Sequence, residues 1–209
     1  MLILEPVIDT SGANRIAPWP VADPGAMIRL SAGISAPQVG AVMAALVPED
    51  SSPREIAAAL RAITEREHLV APGGLLARDT WTGVVIPPSC CCGLEEWREW
   101  MSVPSGGEPW LGHDPSPCVE LLDGDVRIRP DGGLGEDRPP AEQAITASLA
   151  DFAAQLHSAH QDLVSFLDAV GRWARELAPQ VAGDLVAKLD ESFEIVSAAD
   201  GTAAAQPHD

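Results

Sequence analysis

Residues 149–177 read LADFAAQLHSAHQDLVSFLDAVGRWAREL. Leu149, Phe152, Leu156, Ala159, Leu163, Phe166, Val170, Trp173 and Leu177 recur at steps of three and four without a miss. That pattern predicts an α-helix about four heptads long with a single apolar seam. The seam is broad and aromatic, and few complementary charges flank it. Both features favour a helix packed on its own domain, with a homodimer through the 149–177 helix as the second reading. Pro179 ends the helix. Val181–Phe193 predicts a shorter helix that folds back on it. The tail 197–209 is rich in alanine, lacks apolar patterning and is expected to be disordered.

Upstream of this helical part (134–196) the period changes. Residues 130–140 are a Pro/Gly/acidic linker, and 26–133 read as an α+β domain. Within it, Met27–Leu30 is strand-like. Ser35-Ala36-Pro37-Gln38 is a capping box with proline near the first helical position, and it starts a helix running to about Val47. Ser52-Pro53-Arg54-Glu55 repeats the signature ahead of Ile56, Ala59, Leu60 and Ile63, which share one face. The two helices are expected to form an αα-hairpin. Gly74–Arg78 and Thr82–Ile86 alternate as strands around a turn near Asp79–Trp81, and Pro87-Pro88 ends the second. Leu94–Met101 predicts a short helix. Cys118–Leu122 and Asp125–Arg129 flank Asp123-Gly124, a hairpin signal because both turn residues tolerate positive φ. Residues 1–25, with Pro6, Pro18, Pro20 and Pro24, read as an extended arm with a short strand at Leu2–Leu4. The expected fold class is α+β: an N-terminal helix pair, a small central antiparallel sheet, and a long C-terminal helix with a return helix.

The 209 residues carry 31 acidic against 13 basic side chains, a net charge of −18. A surface this negative repels nucleic-acid phosphates and anionic membranes, and its natural partner is a basic protein. The amino terminus, MLILEPVIDTSG, has neither a basic segment nor a long apolar run, so no secretory signal or membrane span is expected and the reading is cytoplasmic. Disulfides are then not expected.

The densest chemical signal is Pro88-Ser89-Cys90-Cys91-Cys92-Gly93, followed by Trp97, Trp100, Trp110 and His113. Cys90, Cys92, His113 and Cys118 supply the ligand types of tetrahedral zinc. Their C-x-C spacing differs from the usual C-x2-C and needs a turn to converge. A thiolate among Cys90–Cys92, at the start of the Leu94 helix, would have a lowered pKa, with His113 as base and Asp114 as orienting carboxylate. Against both stands the packing of small buried cysteines under the tryptophans. Glu95, Glu96, Trp97, Glu99, Trp100 and Trp110 form a candidate interface. Tryptophan is enriched at binding hot spots, and carboxylates suit a basic partner. On an α-helix Glu95 and Glu99 share one face and Trp97 and Trp100 another; core burial of the two tryptophans is the competing reading. His157-x2-His160 lacks a third ligand and reads as surface. No nucleotide-binding, zincin or nucleophile-elbow motif is present.

The segments GGLLARDTWTGVVIPPSCCCGLEEWREW and PWLGHDPSPCVELLDGDVRIRPDGG, within residues 73–133, resemble a segment of small actinomycete proteins of no assigned activity. More loosely, the chain is similar to the SUKH (SMI1/KNR4-like) immunity proteins, in which helices precede a small strand-rich α+β core. That resemblance implies an acidic protein without catalytic residues. The expected function is therefore an acidic, non-catalytic protein-binding module, concretely an immunity or antitoxin-type protein occluding a basic partner, with no cofactor. The alternative is a small zinc- or thiol-dependent protein built on Cys90–Cys92 with His113 and Cys118.

Overall fold

A computed structural model describes residues 1–11, 17–22, 27–48, 54–89, 91–113, 116–130 and 143–196. The fold is α+β, with two antiparallel sheets and helices packed around one shared core. The first sheet has the order β2-β1-β3-β4, from β1 (Leu2–Asp9), β2 (Met27–Arg29), β3 (Gly73–Asp79) and β4 (Val85–Ile86). The second is a β5-β6-β7 meander of Cys118–Leu122, Asp125–Arg129 and Ile145–Ser148. The expected single central sheet is thus two.

The amino terminus corrects the sequence reading most. The short strand expected at Leu2–Leu4 is present, but it runs on to Asp9 and is an inner strand rather than part of an arm, paired with β3 from Leu2↔Asp79 to Ile8↔Gly73 and with β2 at Val7↔Arg29. A proline inside a strand argues against an inner position, because it cannot donate to the ladder. Pro6 is tolerated by its place. Its carbonyl accepts from Leu30 N at 2.8 Å, so its ring nitrogen faces the same edge, where the three-residue β2 has already stopped. Beyond that point the long helix takes over the exposed edge, as Gln155 Oε1 accepts from the Leu4 amide at 3.4 Å. Arg29 bridges strand to helix through Glu5 at 3.0 Å and Asp162 at 2.9 Å.

Helix α1 (Ala36–Leu46) starts at the expected capping box, with Gln38 Oε1 accepting from Ser35 N at 2.9 Å. Helix α2 (Ile56–Thr64) buries Ala59, Leu60 and Ile63, its single apolar stripe. The two do not form the expected αα-hairpin: α1 packs on α3 (Leu149–Leu177) and α2 on α4 (Ala182–Phe193). The proposed cap at Ser52-Pro53 falls outside the described residues, as do residues 131–140 of the linker and the tail from 197. Trp19 closes the far side of α1. Its indole N–H donates to Gly40 O at 2.8 Å, and its ring meets Trp173 edge-on at 5.3 Å.

Helix α3 is the spine. Phe152, Leu156, Ala159, Leu163, Phe166, Val170 and Trp173 of the seam are all buried within the chain, facing β1, α1 and α4. The seam therefore offers no free stripe for the homodimer weighed from the sequence, because the domain's own core fills it. Strand β7, unforeseen, runs straight into this helix; Ser148 caps it, accepting from Asp151 N at 3.1 Å. The return helix α4 buries Leu185, Leu189 and Phe193.

Candidate functional site

The segment expected to be a short α-helix at Leu94–Met101 is a 3-10 helix over Leu94–Ser105. A 3-10 helix has three residues per turn, so side chains three apart eclipse. Leu94, Trp97, Trp100 and Val103 are spaced by three and are its buried residues. Glu95 and Glu99, expected on one face, are therefore separated; Glu96 and Glu99 stack instead. Two of the three tryptophans proposed for an interface are core. Trp97 is 1% exposed, donates from Nε1 to Phe193 O at 2.8 Å and stacks on His160 at 5.4 Å. Trp100 is buried and stacks on Phe152. Trp110 remains half-exposed.

One wall of this helix forms a narrow cleft with the end of the first sheet. Leu75, Ile86, Pro87, Pro88, Trp100, Leu111 and Pro117 make its apolar sides, and Cys92 and Glu96 sit in it. The void is about 20 Å³, room for one water molecule. The loop after the 3-10 helix closes tightly over the cysteine turn. A Cβ on Gly112, whose φ is +109°, would stand 2.5 Å from Ser89 Oγ and 3.4 Å from Cys92 Sγ.

Burial, with the Glu96 charge beside it, pushes the Cys92 thiol up to about 12. This overturns the expected lowered pKa at that cysteine, and Cys92 is no nucleophile at neutral pH. The helix start is negative where a thiolate needs positive surroundings, because Glu95 and Glu96 occupy its first turn. Burial also raises Glu96, offset in part by the Cys92 thiol and the Gly93 amide. A carboxyl raised on folding contributes stability that is complete below its ordinary range and is lost as pH rises through its folded value. Glu96→Gln is therefore expected to leave stability unchanged near pH 4 and to raise it at pH 8, read from urea melts at both pH values.

The zinc set is not assembled among the described residues, where no group of three or more His, Cys, Asp or Glu side chains is placed to hold a metal. His113 is exposed and stands edge-on to Trp110 at 5.6 Å. Cys118 accepts from Arg129 Nη2 at 3.2 Å. Cys90 and Asp114 lie outside the described residues. His160 is held structurally, its Nε2 2.7 Å from Ile195 O, while His157 is exposed and meets Gln161 at 2.9 Å.

The other side of the 3-10 helix borders a larger, acidic groove of about 390 Å³ between residues 67–70 and α4. Glu67, Glu95, Glu191 and Glu194 line it, with exposed Val70 and the chain's single lysine, Lys188. Lys188 Nζ donates to Glu67 O at 3.0 Å. The groove continues past Lys188 and Glu191 to Asp184 and Thr64. Of the proposed interface residues, Glu95 alone faces it, and its Oε2 accepts from the Ala71 amide at 3.3 Å.

Sequence reasoning missed Trp81, 87% exposed at the tip of the β3–β4 turn. Asp79 organises that turn by accepting from Trp81 N at 3.0 Å and Thr82 Oγ1 at 2.8 Å. The available signal was a tryptophan inside a turn too short to cover it.

No family model matches this chain, and neither the curated proteins nor the solved structures include a match to it. Among the described residues no helix is long and apolar enough to cross a membrane.

Proposed function

We propose that this chain is an acidic, non-catalytic protein-binding module whose α2–α4 groove receives a basic segment of another protein. An immunity or antitoxin-type protein occluding a cationic partner is the concrete form of that reading. One observation carries it: five carboxylates, of Glu67, Glu95, Asp184, Glu191 and Glu194, border one continuous groove against a single lysine. The net charge of −18 adds a long-range field of the same sign, which speeds encounter with a positive partner. Exposed Val70 offers the groove an apolar contact, and Trp81 is the kind of anchor found at interface hot spots.

A lysine- and arginine-rich peptide tests the reading. It is expected to bind saturably at low ionic strength and to lose about tenfold in affinity toward 0.5 M salt. The double variant Glu67→Lys/Glu191→Lys should weaken it by a similar factor or more, with an unchanged melting temperature because both side chains are exposed. Equal binding by the double variant, or binding indifferent to salt, would sink the groove as the site.

A further inference from the structure

Helix α4 carries Asp184, Lys188 and Glu191 at intervals of four and three, so the three side chains share one face. That face is the wall common to both ends of the acidic groove. Lys188 and Glu191 line both ends, Asp184 lies at the Thr64 end, and Glu67, Glu95 and Glu194 lie at the other. The carboxylates stand open to solvent, with the side chains of Glu67 and Glu191 90% and 78% exposed. Lys188 differs from them, because its side chain is only 14% exposed. Its ammonium group is seated in the groove, donating to Glu67 O at 3.0 Å and standing 3.8 Å from Glu191 Oε2. It is the only lysine of the 209 residues. Among the described residues no arginine lines the groove, although Arg98 reaches Glu194 at 3.8 Å from the 3-10 helix. The chain's own lysine thus shows how the groove holds an ammonium group, between a carbonyl and a carboxylate. The same lysine leaves a fixed positive charge at mid-groove.

We propose that Lys188 sets the charge spacing of the basic segment the groove receives, with a positive side chain at each end and none in the middle. This inference rests on the protein-binding reading above. Helix α4 supplies the ruler. Seven residues at a rise of about 1.5 Å put Asp184 and Glu191 about 10.5 Å apart along the axis. Lys188 stands about 6 Å from the first and about 4.5 Å from the second. A partner cation placed over Lys188 meets a like charge at about 5 Å, a penalty that a cation at either end largely escapes. In an extended segment three residues cover about 10 Å. Two lysines separated by two neutral residues therefore fit, and two adjacent lysines do not. An unfavourable contact inside an otherwise attractive surface is a general way to reject a near-match of equal net charge.

The test compares two peptides of equal charge and composition on the intact protein at low ionic strength. The spaced peptide is acetyl-Gly-Lys-Ala-Ala-Lys-Gly-amide, and the adjacent one is acetyl-Gly-Ala-Lys-Lys-Ala-Gly-amide. Both titrations are followed by NMR at the Val70 and Asp184 backbone amides. The spaced peptide is expected to bind about fourfold more tightly, the size of one like-charge contact near 5 Å in a water-like dielectric. Lys188→Met, which keeps the length and removes the charge, should tighten the adjacent peptide by about the same factor and erase the preference. Should that variant not fold, Lys188→Gln, which keeps a donor for Glu67 O, carries the same comparison. Equal binding of the two peptides by wild-type protein would overturn the proposal, as would a preference that survives loss of the lysine charge. If neither short peptide binds while the lysine- and arginine-rich peptide still does so in a Glu67- and Glu191-dependent way, the spacing rule falls and the groove stands. If that peptide fails too, the protein-binding reading falls as well.

Discussion

Trp97→Ala is expected to cost about 3–5 kcal/mol of folding stability, the range for truncating a buried tryptophan. The side chain is 1% exposed and joins three parts of the fold. Its indole N–H satisfies the Phe193 carbonyl at the end of α4, at 2.8 Å. One ring face meets His160 of α3 at 5.4 Å, and the Arg98 guanidinium lies 4.8 Å from the ring centroid. Alanine would leave a cavity where the 3-10 helix, α3 and α4 meet, and a buried carbonyl without its donor. Guanidinium melts followed by far-UV circular dichroism measure the loss. A change below about 1 kcal/mol, the centre of the range for point substitutions in general, would contradict this packing and return Trp97 to the candidate interface.

Gly73→Ala is the second large effect, expected at about 3 kcal/mol or more from overpacking and backbone strain together. Gly73 has φ of +152°, and an added Cβ would stand 2.1 Å from Val7 O. The obstacle is backbone of the inner strand β1, so no rotamer change relieves it. The amide of Gly73 also donates to Cys92 O at 3.2 Å, and Leu94 N donates to Ala71 O at 2.8 Å. Pushing β3 off β1 therefore disturbs the strand and the cysteine turn at once. Thermal melts should show the lowered stability, and the Cys92 thiol, inert while buried, should become open to alkylation by iodoacetamide. A variant with wild-type stability and an unreactive Cys92 would show that the two strands are not held this closely.

How far the sequence could be read depended on the range of the interaction behind each element. The cap of α1, the seam of α3 and the Asp123-Gly124 hairpin are set by residues a few positions apart, and all three are present. Asp123 and Gly124 indeed take φ of +45° and +94°. Strand β1 was foreseen only at Leu2–Leu4, because its partner β3 is some seventy residues away and Pro6, with the prolines that follow the strand, argues for an arm. Strand β7 is four residues long, with its partner β6 across the 131–142 stretch. The 3-10 helix escaped because an α-helical period was applied to a row with a period of three. The candidate site was readable only in part. Glu95 and Glu96 were singled out as a pair, but the wall each one faces is built by residues from 67 to 194, so no local pattern separates them. The exposure of Trp81 and the raised thiol of Cys92 are properties of the packed molecule, not of neighbours along the chain.

Because Leu94, Trp97, Trp100 and Val103 present one apolar ridge only at intervals of three, this stretch has a rigid arithmetic. Adding or removing a single residue between Leu94 and Val103 would swing every later side chain by about a third of a turn. An indole would then point into water and a glutamate into the core. Length variation here is tolerable in triplets alone, so natural variants of this protein should keep the interval, and a one-residue deletion should be far more damaging than most substitutions at the same positions.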